Sequence, residues 1–228
     1  MRPGTGGAAT GGKERVKKMA AIGKTMTETM IEKVAADMSA AMERWGRPDA
    51  DTTDHCRRTA CLTAGLALQM KLGGEQFLLT VMAAGLHDMG KAGIPEEILN
   101  KPGALSSSEM EIIKRHPLEG YQILREDIPS EAADMVLCHH ENVDGSGYLG
   151  LSQNEIPLGA RIIRVCDVYD ALISKRAYKE PWSRSRALSY IRENSGSLFD
   201  ETCADAFCAM MDARYSERYV EGARAPAA

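Results

Sequence analysis

Apolar residues recur at helical spacing along most of the chain. Between Thr27 and Trp45 they fall at Met30, Ile31, Val34, Met38, Ala41, Met42 and Trp45, one stripe at helical period. Such a stripe packs on the rest of its own domain or on a second copy of the chain, and Gly46-Arg47-Pro48 closes it. The same period predicts helices from near Asp51 to about Leu72 and from about Glu75 to His87. Pro95-Glu96-Glu97 opens a short helix. Ser106-x-x-Glu109 reads as a capping box for a helix reaching His116, and Pro117 permits a new start. Ser130 is placed to cap a helix ending at His139–His140, and a Gly-rich loop covers 141–156. Pro157 then opens a long helix through Asp170, Ser183 caps another, and a last helix covers 201–213. No alternating strand or hairpin pair breaks this pattern, so the fold class is all-α.

With 228 residues the chain is long enough to bury one sizeable core. Aromatics are scarce at 5% and methionines number 13, which suits closely packed helices rather than a sheet. A net charge of −4 offers no basic surplus for a nucleic-acid polymer. The longest apolar stretch, Phe77 to Leu86, is about half of the roughly twenty residues a membrane span needs, and it contains Thr80 and Gly85. Residues 1–12 are rich in Gly, Ala and Thr, and Lys13, Arg15, Lys17 and Lys18 follow without the apolar segment of an export signal. Residues 1–24 therefore read as a flexible leader, with contact to an anionic surface or a partner as the alternative. Residues 25–50 read as an N-terminal helix, 51–220 as the main domain and 221–228 as a disordered tail. The six cysteines lack any Cys-x-x-Cys pair and fit reduced, mostly buried thiols in a cytoplasmic protein.

Candidate chemistry gathers on five histidines: His55, His87, His116, His139 and His140. His87 is followed by Asp88, two of the five are adjacent, and Asp51 lies one helical turn before His55. Histidine and carboxylate together, without cysteine-rich spacing, suit a mixed nitrogen–oxygen site for iron, manganese or zinc. Lys91 lies one turn after His87 and can face the same centre. Cys138 and Cys166 adjoin these candidate residues.

The ordered series His87-Asp88-Met89-Gly90-Lys91, Lys101-Pro102-Gly103, His116-Pro117, His139-His140-Glu141, Asp144-Gly145-Ser146-Gly147-Tyr148, Ile156-Pro157-Leu158, Asp167-Val168-Tyr169-Asp170 and Arg176-Ala177-Tyr178-Lys179 resembles the HD-GYP family over residues 51–200. The resemblance implies an HD-type helical bundle around a multinuclear metal site. It also implies a metal-dependent phosphodiesterase that cleaves cyclic di-GMP to linear pGpG or on to GMP, through a hydroxide bridging two metals. His55, His87, Asp88 and Asp167 match one set of ligands. His116, His139 and His140 match those of a second metal, and Asp88 is the implied bridge. Asp51 stands where some members hold a third metal, and reads equally as a helix N-cap. The implied ions are iron or manganese ahead of zinc or nickel. Asp88 and Lys91 are the implied catalytic residues, and Lys91, Tyr148, Arg176, Tyr178 and Lys179 the implied substrate contacts. Implied partners are cyclic di-GMP, GGDEF-type or other signalling proteins, and a second copy of the chain.

One departure stands out. Gly147-Tyr148 is followed by Leu149 instead of the family's proline, and the segment to Ile156 is one residue short. Proline would stiffen that loop. Alternative functions are cleavage of another cyclic dinucleotide such as cGAMP, a weakly active cyclic di-GMP receptor, and a redox or oxygen sensor built on a di-iron centre.

Overall fold

The computed structural model describes residues 36, 38–44, 49–175 and 180–224, with side chains up to residue 213. Helix α1 is described over 38–44. It is followed by α2 (Ala50–Gln69), α3 (Gly74–Leu86), a 3-10 turn (Met89–Gly93), α4 (Glu96–Leu99), α5 (Ser107–Ile113) and α6 (His116–Leu124). Next come α7 (Ser130–Cys138), α8 (Leu158–Ile173), α9 (Arg184–Glu193) and α10 (Glu201–Arg224). Among the described residues, the one β-type pairing is an isolated bridge between Ser195 and Phe199. The fold is all-α.

Three helices start behind a proline. Pro95, Pro129 and Pro157 occupy the N-caps of α4, α7 and α8 with φ of −55°, −54° and −52°. The pyrrolidine ring fixes that angle before the helix begins. This corrects the expected cap at Ser130, which is the first helical residue and turns its hydroxyl to Glu131. The capping box is present as read: Ser106 Oγ accepts from Glu109 N–H and the Glu109 carboxylate accepts from Ser106 N–H. Its helix ends at Ile113, so His116 opens α6 rather than closing α5. The last helix runs on to Arg224, so residues 221–224 of the expected tail are helical. The expected leader lies outside the described residues.

Helix α8 organises the interior because it is apolar on two sides. Ala160 and Ile163 join Met82, Leu86, Leu124 and Val136 in one core cluster between α3, α6 and α7. Ile162, Val165 and Tyr169 join Leu66, Phe199 and Phe207 in a second, between α2, α9 and α10. Each fully buried aliphatic or aromatic side chain contributes about 1.5–3 kcal/mol. The stripe left over on α8 carries Arg164, Asp167, Asp170 and Ser174, spaced by three or four residues and turned towards α2 and the loop after α7. The 3-10 turn locks against α6: a Cβ on Gly90 would run into the His116 carbonyl and come within 2.6 Å of the Gly120 nitrogen. Glycine here lets the turn bring Asp88 directly beside His116.

Candidate metal centre

Three of the five histidines are oriented by the same device. His87 Nδ1–H donates to the Ala84 carbonyl at 2.8 Å, His116 to Ile113 at 2.7 Å and His139 to Val136 at 2.6 Å. Each acceptor lies three residues back, in the last turn of α3, α5 or α7. A carbonyl can only accept, so Nδ1 carries a proton in each ring and Nε2 is the nitrogen turned inward. His55 is held differently, between two carboxylates. Its Nδ1 lies 2.7 Å from Asp170 Oδ2, and its Nε2 is 2.9 Å from Asp167 Oδ1. Asp170 is in turn gripped by Arg58, with Nε 2.8 Å from Oδ1 and Nη2 2.9 Å from Oδ2. Asp170 and Arg58 were missed in the sequence, although each is three residues from a candidate ligand.

The inward-facing atoms surround Asp88, which is buried to 1% exposure. Its Oδ1 is 3.2 Å from His116 Nε2 and its Oδ2 is 3.5 Å from His87 Nε2. Lys91 Nζ approaches the same Oδ2 at 2.6 Å. His116 and His139 face each other Nε2 to Nε2 at 3.2 Å. His140 completes the group, 4.2 Å from the His139 ring between centroids.

Burial disfavours charge on all these groups, and their neighbours decide the outcome. His55 is raised to about 9, because Asp167 and Asp170 outweigh burial. His87 is also raised to about 9 against burial, chiefly by Asp88. His139 and His140 are held well below the ordinary value by burial and by the surrounding imidazoles, so both rings are neutral. Asp88 and Asp167 stay ionised despite burial, Asp88 through Lys91 and His87, Asp167 through His55. Burial pushes the Cys138 thiol up to about 11, leaving it protonated and inert.

These residues fit a divalent cation. His116 and His139 turn their Nε2 atoms towards each other, and buried His87 Nε2 and Asp88 Oδ1 make no hydrogen bond. A cation satisfies such acceptors together. The donor atoms fall into two groups, Asp88 with His116, His139 and His140, and His55 with His87 and Asp88; within each, all atoms lie within 4.8 Å of one another. Asp88 belongs to both. The donor set is nitrogen and oxygen only, as for iron, manganese or zinc.

Asp51 belongs to neither group. It is exposed in the first turn of α2, and the N-cap reading passes to Asp49, whose carboxylate accepts from Thr52 N–H and Oγ1–H at 3.0 and 2.6 Å. Tyr148 stacks on His140 with ring centroids 4.7 Å apart. Its loop is held by buried Glu141, which accepts from Leu149 N–H at 2.7 Å and Leu151 N–H at 2.8 Å. A proline at the position of Leu149 would have no N–H to give. Gly147 packs so tightly on Glu141 that a Cβ would lie 2.6 Å from its Cα. Arg176, Tyr178 and Lys179 lie outside the described residues.

The centre opens into a cleft of about 990 Å³ lined by His55, Asp88, Lys91, His116, His140 and Tyr148 at its floor and by Asn100, Leu105, Met110 and Ile113 along one wall. Among the described residues no helix is long and apolar enough to cross a membrane.

Comparison with known proteins agrees with this geometry. A family model described as "HD domain" matches residues 25–203. The chain is 44% identical over 162 residues to the cyclic di-GMP phosphodiesterase response regulator RpfG of Xanthomonas campestris pv. campestris, a match covering 69% of this chain and 43% of that protein. It is 41% identical over 164 residues to a cyclic di-GMP phosphodiesterase of Thermotoga maritima, covering 70% and 44%. The match thus spans less than half the length of these relatives. Among solved structures, Bd1817, a HDG"Y"P protein from Bdellovibrio bacteriovorus, shares the fold with a TM-score of 0.62 at 16% identity, over 83% of this chain and 67% of that one. With the matching model, the HD-GYP-like motifs and the clustered histidines all on the same stretch, the chain belongs to the HD domain family.

Proposed function

We propose that this chain is a metal-dependent phosphodiesterase that hydrolyses cyclic di-GMP to linear pGpG or on to GMP in the bacterial cytoplasm. The observation that carries it is the pair of donor groups sharing Asp88 at the floor of an open cleft. That arrangement suits two cations side by side, and two relatives over 40% identical are named cyclic di-GMP phosphodiesterases. His55, His87, Asp88 and Asp167 are the residues to hold one metal, and His116, His139 and His140 the other, with Asp88 between them. Iron or manganese suits this donor set. Such metals supply a water of lowered pKa and Lewis-acid stabilisation of phosphoryl oxygens.

The rest of the chemistry falls to side chains. Lys91 stands over the Asp88 carboxylate and presents its ammonium to an anionic phosphodiester entering the cleft. Tyr148, 39% exposed and backed by His140, offers a face on which a guanine can stack. Arg176, Tyr178 and Lys179, outside the described residues, are assigned as phosphate and base contacts on the family resemblance alone. Asp51 lines the outer cleft, where a third metal would need it to turn inwards. The catalytic unit spans 51–220, with the N-terminal helix packed on it or at a dimer interface.

Product analysis tests this reading. Anaerobically purified protein, reloaded with Fe(II) or Mn(II), is incubated with cyclic di-GMP or 3′3′-cGAMP beside Asp88→Ala. Metal-dependent pGpG or GMP that disappears in the variant is the expected outcome. Intact cyclic di-GMP with two metals counted per chain refutes it, and cleavage of cGAMP alone transfers the activity to that nucleotide.

A further inference from the structure

Arg164 is the residue at the centre that the reading above leaves without a role. It projects from the same stripe of α8 as Asp167 and lines a pocket of about 200 Å³ with His55, Asp88, Lys91, His140 and Asp167. It is half-buried, yet among the described residues it forms no ion pair with a carboxylate. Its acceptors are neutral. Nε and Nη2 both donate to Asn142 Oδ1, at 3.1 and 2.9 Å, and Nη1 donates to His140 Nδ1 at 3.2 Å.

The orientation is built in. Asn142 is 8% exposed, and its Nδ2 donates to Ser146 Oγ at 3.0 Å, while that hydroxyl donates to Asp144 Oδ1 at 2.6 Å. This chain fixes which end of the amide is oxygen and so which way the guanidinium lies. Three of the five guanidinium hydrogens are used, leaving one on each terminal nitrogen. The contact to His140 is to a single lone pair, which a guanidinium and a metal ion compete for. A fixed cation with neutral supports and two spare donors is a site for an anion, because a guanidinium matches two oxygens of a phosphate group.

We infer that Arg164 is a phosphate-binding residue, taking a non-bridging oxygen of the phosphodiester at the metal centre from the His140 side while Lys91 faces it from the Asp88 side. The inference rests on the phosphodiesterase reading and adds a residue to it. Lys91 contributes a point charge already shared with Asp88; Arg164 contributes direction, held by Asn142.

Two probes without a nucleobase separate this inference from the choice of nucleotide. Wild-type, Arg164→Gln and Arg164→Lys proteins are loaded with Mn(II) and their metal counted. Inorganic phosphate binding is measured by calorimetry, and hydrolysis of bis(p-nitrophenyl) phosphate is followed by absorbance. With equal metal content, Arg164→Gln is expected to weaken phosphate binding and raise KM by about tenfold to hundredfold, the range of a charge-assisted hydrogen bond. Arg164→Lys is expected to fall between. Phosphate affinity equal to wild type at equal loading overturns the inference. So does a variant that loses metal but binds phosphate normally per loaded site, since Arg164 would then only support His140. If weakened phosphate binding is found while cyclic di-GMP stays intact in the wild type, the anion site stands and the nucleotide assignment falls.

Discussion

Asp170 gives the sharpest handle on how the centre is held. Its two oxygens take four contacts: His55 Nδ1 at 2.7 Å, Arg58 Nε at 2.8 Å and Nη2 at 2.9 Å, and Ser174 Oγ at 3.2 Å. Asp170→Asn keeps the shape but turns one acceptor into a donor. The cheapest orientation places the new amide nitrogen at Oδ1, losing the bond from Arg58 Nε and keeping His55 and Ser174 on the oxygen. A hydrogen bond to a charged group contributes about 1.5–3 kcal/mol, and the low end applies because water reaches Arg58. The Arg58 side chain is 40% exposed. The metal-free variant should therefore lose about 1.5–2 kcal/mol. The larger effect is on His55, whose ring loses an anionic partner and with it basicity. Partners of this kind are worth about 10–100-fold in metal affinity. Arg58→Met is the control, because it removes the ion pair and leaves the Asp170–His55 contact. Competition against a fluorescent Mn(II) chelator measures affinity, and thermal unfolding of metal-free protein measures stability. If Asp170→Asn binds Mn(II) like wild type, or if Arg58→Met weakens binding as much, Asp170 does not act through His55.

Two further outcomes follow from contacts elsewhere. Glu141→Gln leaves one acceptor for the two backbone N–H groups of Leu149 and Leu151; the loop should loosen at a cost of about 1–3 kcal/mol, seen as faster hydrogen exchange at those two amides with α7 unchanged. Asp200, buried under α10, stays ionised against the effect of burial because Cys203 N–H donates to it at 3.0 Å and Arg161 pairs with it at 2.7 Å. Its folded pKa lies below the unfolded value, so its contribution is present above about pH 4 and is lost as pH falls through the folded pKa. Asp200→Asn should thus be about 1–3 kcal/mol less stable at pH 7, with the gap to wild type narrowing in denaturant titrations as pH falls below about 4; a gap that does not change with pH contradicts this.

What was legible in the sequence was what local chemistry encodes. The capping box at Ser106 and the cap at Ser183 were found because a side chain and a backbone N–H three residues on decide them. Ser130 misled because proline and serine are adjacent, and the rigid ring at Pro129 set the helix start one residue earlier. Asp49 and Asp51 both suit a cap by type; the turn geometry chose Asp49. The histidines were visible through their motifs. Their supports were not, since Asp170, Arg58, Arg164 and Asn142 matter through contacts between α2, α8 and the loop after α7 that no local pattern records. The Asp167-x-x-Asp170 spacing held a signal: two acids one turn apart on a buried face seldom both point to solvent.

The carbonyls that hold His87, His116 and His139 also shape the field of the pocket. They belong to the last turns of α3, α5 and α7, so three helices end at one place. Each C-terminus carries roughly half a negative charge, and the ionised Asp88 and Asp167 add to it. The negative potential is therefore concentrated on the side of the pocket where the ring nitrogens converge, opposite Arg164. A divalent cation seated there would be held by backbone dipoles as well as by side chains, a contribution that replacing any single ligand leaves in place.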